Sequence, residues 1–276
     1  MNYYDDKYWQ RAFQAFRNKS NEYQVIQNWL SNNISRFAYH KTSVSILSVG
    51  CGAGEPDLIL MRELTKCGVR HIRYIGVEVS IKHVEEFREN FEVFKHELCE
   101  VDFQLSNERA QEFDTEEKFD IILMIQMIYF IKNVTEFLFK YTRLLSDSGK
   151  CIIAMASQPM EEIYSIKGMR HLHYSEGKHP TLYSEVKRSL KATGFHYKEE
   201  VEISWADIEE SFDMENEDGE LILDFIWDTY HYRQNQTKDV LRKLNALLQC
   251  DRIVQTINGR RCYIQYQQLI TISKPK

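Results

Sequence analysis

A hydrophobic strand that runs straight into a glycine-rich turn can bring backbone N–H groups close to a ligand, because glycine takes positive φ and carries no Cβ. This chain has one such run, Ile46-Leu-Ser-Val-Gly50-Cys51-Gly52-Ala53-Gly54-Glu55, followed by a helical pattern around Leu58–Leu64. Gly50, Cys51, Gly52 and Gly54 are the candidate ligand-binding positions. A dinucleotide fingerprint needs a glycine where Glu55 stands, and a second carboxylate, Asp57, follows. Two anions in the turn repel a phosphate, and no Gly-Lys-Ser/Thr follows, so a P-loop is excluded. S-adenosylmethionine has no phosphate and carries an ammonium and a sulfonium, so it fits better. The competing reading is a tight turn with no ligand.

Two further residues stand at the ends of apolar runs. Glu78 closes Ile72-Arg-Tyr-Ile-Gly-Val, twenty-four residues after Gly54, the separation at which an acidic residue accepts hydrogen bonds from ribose hydroxyls in this architecture. Taken alone, such a residue is more often a solvated strand-end charge. Gln126 follows the run Ile121-Ile-Leu-Met-Ile125 and is read as a substrate contact, with capping of the next turn as the alternative.

The elements that must position these residues alternate from Val44 to about Glu200. Strands are expected at Val44–Val49, Ile72–Glu78, Glu100–Leu105, Phe119–Ile125 and Lys150–Ala156, each followed by a helical pattern. Five such units make a Rossmann-like α/β sheet with helices on both faces. The stripe Val134, Phe137, Leu138, Tyr141, Leu144 and Leu145 predicts a helix lying on that sheet, with Gly149 ending the turn into the next strand. A helix carrying Val186 and Leu190 up to Gly194, a strand from Tyr197 to Ile203 and a last strand from Arg261 to Ile272 complete the pattern.

Residues Tyr3, Tyr4, Tyr8, Trp9, Phe13, Phe16 and Tyr23 concentrate aromatics at the N-terminus, and helical spacing puts Trp9, Phe13 and Phe16 on one face. That face either packs on the sheet or forms a lid over a pocket. The eight carboxylates between Asp207 and Glu220 do not make a calcium loop, since Phe225 falls where the bidentate glutamate must stand, and a solvated turn is expected. His171, His173 and His179 lack a ligand spacing and read as surface imidazoles, so no metal is expected.

Composition bounds the rest. The 276 residues are 43% hydrophobic and 28% charged, an ordinary globular balance. A net charge of −6 offers no general positive field for nucleic acid. The six cysteines never form a CxxC pair and read as reduced thiols. The first ten residues lack the apolar core of a signal peptide, and the run Ile121–Ile131 is about half of the ~20 residues that a membrane span needs. A cytoplasmic monomer is expected, with no nucleic-acid or membrane partner.

With these elements in place the sequence resembles the histamine N-methyltransferase family, on ILSVGCGAGEPDL, FDIILMIQMIYFIKN and DMENEDGELILDFIWDT, and nearly throughout its length. The resemblance implies a class I methyltransferase core with a smaller substrate-binding cap. It divides the chain into an aromatic lid (1–40), an S-adenosylmethionine-binding core (41–200) and a substrate-binding region with the last strand (201–276). It implies cofactor contacts from Gly50, Glu78, His83, Ala110 and Ile125, with His83 and Ala110 differing from the family's usual types. On the acceptor side it implies an amine-recognising carboxylate at Glu22, polar contacts from Gln126 and Gln265, and an aromatic wall of Tyr8, Phe13, Phe16, Tyr129 and Phe225. Gln265 stands where the family has asparagine. After the fifth strand the family shows two pocket tryptophans, whereas this chain has Ser157-Gln-Pro-Met-Glu-Glu162-Ile-Tyr-Ser-Ile166 and no Trp between Trp29 and Trp205. A pocket that is wider, or more anionic through Glu162, is the expectation, with an acceptor that need not be histamine itself. The implied activity is methyl transfer to a ring nitrogen of histamine or a related imidazole amine. The alternatives are another small cationic acceptor such as carnosine, or a non-catalytic member that binds amine or cofactor.

Overall fold

The computed structural model describes residues 7–38, 40–169, 171 and 180–274. Tyr3, Tyr4, His173 and His179 lie outside the described residues. The chain divides into two compact units that interleave along the sequence, one comprising Ile26–Met155, Tyr183–Val201 and Gln268–Lys276, the other Met1–Val25, Ala156–Leu182 and Glu202–Gln267.

The strands form where β-branched and aliphatic residues run together: β1 (Ser43–Val49), β2 (His71–Val77), β3 (Glu100–Ser106), β4 (Phe119–Ile125), β5 (Leu145–Ala156), β6 (His196–Asp207), β7 (Val254–Ile257) and β8 (Arg260–Ser273). Their order is β3-β2-β1-β4-β5-β8-β6, with β7 antiparallel on β8. β1 to β5 pair in parallel, with Ile46 opposite both Tyr74 and Ile121. Asn258 and Gly259 both take positive φ, the requirement of a two-residue hairpin turn between β7 and β8.

The helices are α1 (Lys7–Lys19), α2 (Glu22–Ala38), α3 (Glu55–Lys66), α4 (Ile81–Phe94), α5 (Val134–Thr142), α6 (Met160–Tyr164), α7 (Tyr183–Thr193), α8 (Glu217–Trp227), α9 (Tyr232–Asn235) and α10 (Lys238–Leu248). In the sheet unit, alternate strand residues feed two cores. Leu47, Val49, Ile122, Met124 and Ile153 pack with Phe137, Leu138 and Tyr141 of α5 and with Val186 and Leu190 of α7. Val44, Ile46, Tyr74, Leu123 and Ile152 pack with Ile26, Trp29 and Leu30 of α2, Leu58 and Met61 of α3, and Phe87 of α4. A parallel strand buried on both faces must be apolar at nearly every position, which is why these strands read as unbroken runs.

The chain leaves β1 toward β2 and β3 and returns to β4 on the other side of β1. The switch point, where open α/β sheets bind ligands, is therefore at the carboxyl ends of β1 and β4.

Three expectations change in this unit. β3 is followed by turns and irregular chain up to β4, not by the helix expected after it. β5 begins at Leu145, so Gly149 lies inside the strand, next to a register shift between Phe119 and Ile121 of β4. Asp57 does not face a ligand: it is 2% exposed and accepts a hydrogen bond from the Tyr74 hydroxyl at 2.9 Å. The charge argument against phosphates therefore loses one of its two anions.

The second unit has its own core, in which Phe16 of α1 packs with Ile222, Leu223 and Trp227 of α8, Leu244 of α10 and Tyr263 of β8. Here the aromatic face of α1 meets a helix: Trp9, Phe13 and Phe16 surround Phe225 of α8, with ring centroids 5.9, 5.4 and 4.6 Å away. The acidic stretch is also more than a solvated turn. Glu209–Phe212 form a 3-10 turn, Asn216 caps α8 through its side chain, and Ser211 and Gly219 are buried. Carboxylates in the first turn of α8 are favoured by the helix dipole.

Burial pushes the Asp57 carboxyl up to about 6. A carboxyl raised in the folded state stabilises the fold at low pH and loses that contribution as pH rises through its folded pKa. Urea melts should therefore show stability falling by about 1–3 kcal/mol less between pH 5 and pH 8 in Asp57→Asn than in the parent. The amide keeps an acceptor for Tyr74. Equal slopes in the two proteins would contradict this account.

Candidate active site

In the sheet unit the glycine turn closes β1 onto the tip of β2, with the Gly50 and Cys51 N–H groups donating to the Val77 carbonyl at 2.8 and 3.2 Å. Gly54, at φ +78°, has no room for a side chain, since an added Cβ would lie 2.1 Å from the Phe87 ring. Gly52, at φ +55°, has nothing within 4 Å of that position, so the turn is packed on one side and open on the other.

Glu78 stands one residue beyond β2 and is 5% exposed. The Gly52 N–H donates to its Oε2 at 3.0 Å and the Ser80 N–H to its Oε1 at 2.8 Å. The Asn107 amide donates to the Glu78 carbonyl at 3.0 Å. Each carboxylate oxygen keeps a further lone pair that can accept a hydroxyl, which is what a ribose requires. The N-terminus of α3 has no side-chain cap, and although Pro56 offers no N–H there, the helix dipole favours an anionic group at that end. A zwitterionic amino-acid tail suits that helix end beside the half-buried Glu55, and these residues fit S-adenosylmethionine.

At the tip of β4, Ile125 is the last strand residue and Gln126 takes φ +52°. The Gln126 N–H donates to the Ala154 carbonyl at 2.8 Å, and its side-chain Oε1 accepts the Tyr129 hydroxyl at 2.6 Å. The structure thus brings Gln126 and Tyr129 together. Ser80 caps α4 by accepting from the His83 N–H, which puts half-buried His83 in the first turn after Glu78. Ala110 packs against the α5 side of the core, its carbonyl accepting the Tyr141 hydroxyl at 2.7 Å.

In the second unit Glu22 is buried at the start of α2. Its Oε2 accepts from the Gln267 amide at 3.1 Å, and that same nitrogen donates to the Ser204 hydroxyl at 2.9 Å. Burial pushes the Glu22 carboxyl up to about 7, against the pull of the Gln267 bond and of Arg17. Gln265 lies two residues before Gln267, on the same face of β8, and its Oε1 is buried without a hydrogen-bond partner among the described residues.

The aromatic residues of this unit fall into two groups. Phe13 and Phe16 flank Phe225. Tyr8 donates instead to Asp224, a carboxylate 1% exposed that also accepts from the His231 and Tyr232 N–H groups at 2.7 and 2.8 Å. Glu220, Asp224 and His231 bring ligand-type atoms within 4.8 Å of one another, but Asp224 already takes three hydrogen bonds.

Two further expectations are corrected here. Glu162 forms a two-pronged ion pair with Arg252, Oε2 lying 2.8 Å from Nη2, so its charge is answered by a guanidinium. His171 is half-buried, its ring 4.6 Å from Tyr164 and its Nδ1 3.3 Å from the Trp227 carbonyl, so it is not a surface imidazole.

Sequence reasoning missed Ser80, Asn107, Ser204, Asp224 and Gln267, which hold the candidate residues in place. Gln267 alone had a legible signal, standing at the same strand face as Gln265 in an otherwise apolar stretch.

A family model described as a methyltransferase domain matches residues 19–200. Histamine N-methyltransferase of Danio rerio is 24% identical over 95% of this chain and 94% of its own length, and that of Cavia porcellus is 27% identical over the same shares. That of Mus musculus is 27% identical over 86% of this chain and 85% of its own. Among solved structures, the plantazolicin methyltransferase BpumL in complex with SAH shares the fold at TM-score 0.56 and 14% identity, covering 99% of this chain and 93% of its own. The YcgJ protein of Bacillus subtilis does so at TM-score 0.57 and 14% identity, covering 90% and 100%. With the family match across most of its length and a switch-point site suited to the methyl donor, the chain belongs to the methyltransferase-domain family and is an S-adenosylmethionine-dependent methyltransferase.

Proposed function

We propose that this methyltransferase transfers a methyl group to a ring nitrogen of histamine or a closely related imidazole amine. The observation that carries the reading is Glu22, a buried carboxylate with no Lys or Arg in ion-pair distance among the described residues. A buried carboxylate without a cation is costly, and a ligand ammonium relieves that cost. The names of the relatives support the same class of acceptor.

When bound, S-adenosylmethionine supplies a methyl already activated on a sulfonium, so no covalent enzyme intermediate is required. Glu78 accepts the ribose hydroxyls, and the turn at Gly50, Cys51, Gly52 and Gly54, with His83, Ala110 and Ile125, completes the cofactor side. Glu22 anchors the acceptor's ammonium. Gln265 accepts the ring N–H through its unpartnered Oε1, which leaves the lone pair on the other ring nitrogen. Gln126, braced by Tyr129, orients the ring, while Tyr8, Phe13, Phe16 and Phe225 supply aromatic surface. Imidazole is largely neutral at pH 7 with a pKa of about 6.5, so the nucleophile needs little deprotonation, and orientation with exclusion of water contributes up to ~7–11 kcal/mol.

A larger histidine-containing acceptor such as carnosine is the second reading. The absence of tryptophan between Trp29 and Trp205 favours it, while the Arg252–Glu162 pair removes the argument for a more anionic pocket. Incubation with labelled S-adenosylmethionine and a panel of histamine, carnosine and simple biogenic amines separates the two by which product carries label, and a panel without turnover rejects both.

Glu22→Gln should raise the acceptor KM by about 10–100-fold, the loss of a charge-assisted hydrogen bond, with little change in S-adenosylhomocysteine affinity. Unchanged acceptor kinetics would remove Glu22 from this role. Glu78→Ala should do the reverse, weakening S-adenosylhomocysteine by about 10–100-fold in calorimetry.

A further inference from the structure

Gln267 and Ser204 are each 0% exposed, and they meet through the same amide nitrogen that touches Glu22. An amide –NH2 has two hydrogens, and here one goes to Glu22 Oε2 at 3.1 Å and the other to Ser204 Oγ at 2.9 Å. The serine bond stops the amide from turning, so the carboxylate oxygen it holds is fixed. Glu22 makes no other side-chain hydrogen bond and no ion pair among the described residues. A neutral N–H donated to a carboxylate favours the charged form without cancelling its charge, whereas a lysine or arginine in its place would compete with an incoming ammonium.

We propose that Gln267 is a positioning residue for acceptor capture: pinned by Ser204, it holds one oxygen of Glu22 and presents the other, still negative, to the ammonium of the acceptor. The proposal rests on Glu22 being the amine anchor. The other groups acting on the carboxylate are the Arg17 guanidinium, which favours the anion, and the buried phenol of Tyr263, whose own pKa burial pushes up. Glu162, which also acts on Tyr263, is paired with Arg252.

The test follows the Glu22 carboxyl by ¹³C NMR in the full chain, its resonance assigned by loss in Glu22→Gln, beside the pH profile of kcat/KM for histamine. Removing a donor that favours the anion must raise the midpoint. Gln267→Leu, of similar volume, should move it up by about one unit, and Ser204→Ala, which frees the amide but leaves its bond to Glu22 available, by less. The acid limb of kcat/KM should shift with it, the KM for histamine at pH 7 rising about 5-fold while kcat changes by less than about twofold. The imidazole of the acceptor titrates identically with every variant, so a shift seen between variants belongs to the enzyme. An unmoved midpoint in both variants overturns the proposal, as does a KM increase of the same size at every pH, the mark of a merely structural role. If no amine is turned over, the histamine assignment fails, and the NMR midpoint alone decides whether Gln267 governs Glu22.

Discussion

Taking a carboxylate out of water costs several kcal/mol unless hydrogen bonds or a cation replace its hydration. Five described carboxylates are buried here, and the way each is satisfied organises the two units. In the sheet unit Glu78 is held by two backbone N–H groups and Asp57 by the Tyr74 hydroxyl. In the other unit Asp224 takes three donors, Asp228 accepts the Tyr164 hydroxyl, and Glu22 has a single neutral amide. Glu22 is the one of the five that we propose receives the charge of a ligand, while the others tie elements together.

The same principle explains the strand tip after β2. A glutamate there would be an ordinary solvated charge if the glycine turn lay elsewhere. Because Gly50 and Cys51 latch the turn to the Val77 carbonyl, the Gly52 N–H reaches Glu78, and turn and carboxylate become one rigid unit. A scaffold of this kind lowers the entropy that a ligand bound there would lose, because its groups are already fixed.

The second unit uses aromatic packing for the same end. Phe225 sits among Trp9, Phe13 and Phe16, which fixes α1 against α8, and the Tyr8–Asp224 bond adds a polar clamp beside it. An aromatic helix face looked like either core or lid in the sequence. The structure makes it the packing surface of one helix on another, since an apolar stripe has no preference between a sheet and a helix until a complementary partner is known.

The sequence by itself determined every strand but β7, though not the start of β5, together with the glycine turn and the places of Glu78 and Gln126 at strand ends, because buried parallel strands must be apolar throughout and a left-handed turn needs glycine. It also determined the family, through motifs whose residue order survives without knowledge of contacts. Only the tertiary structure decided which charges are spent internally: Asp57 on Tyr74, Glu162 on Arg252, Asp224 on Tyr8. A charge in a sequence carries no record of its partner, which for Tyr8 and Asp224 is 216 residues away. Position in space, and not residue type, separates a structural carboxylate from one left to bind a ligand.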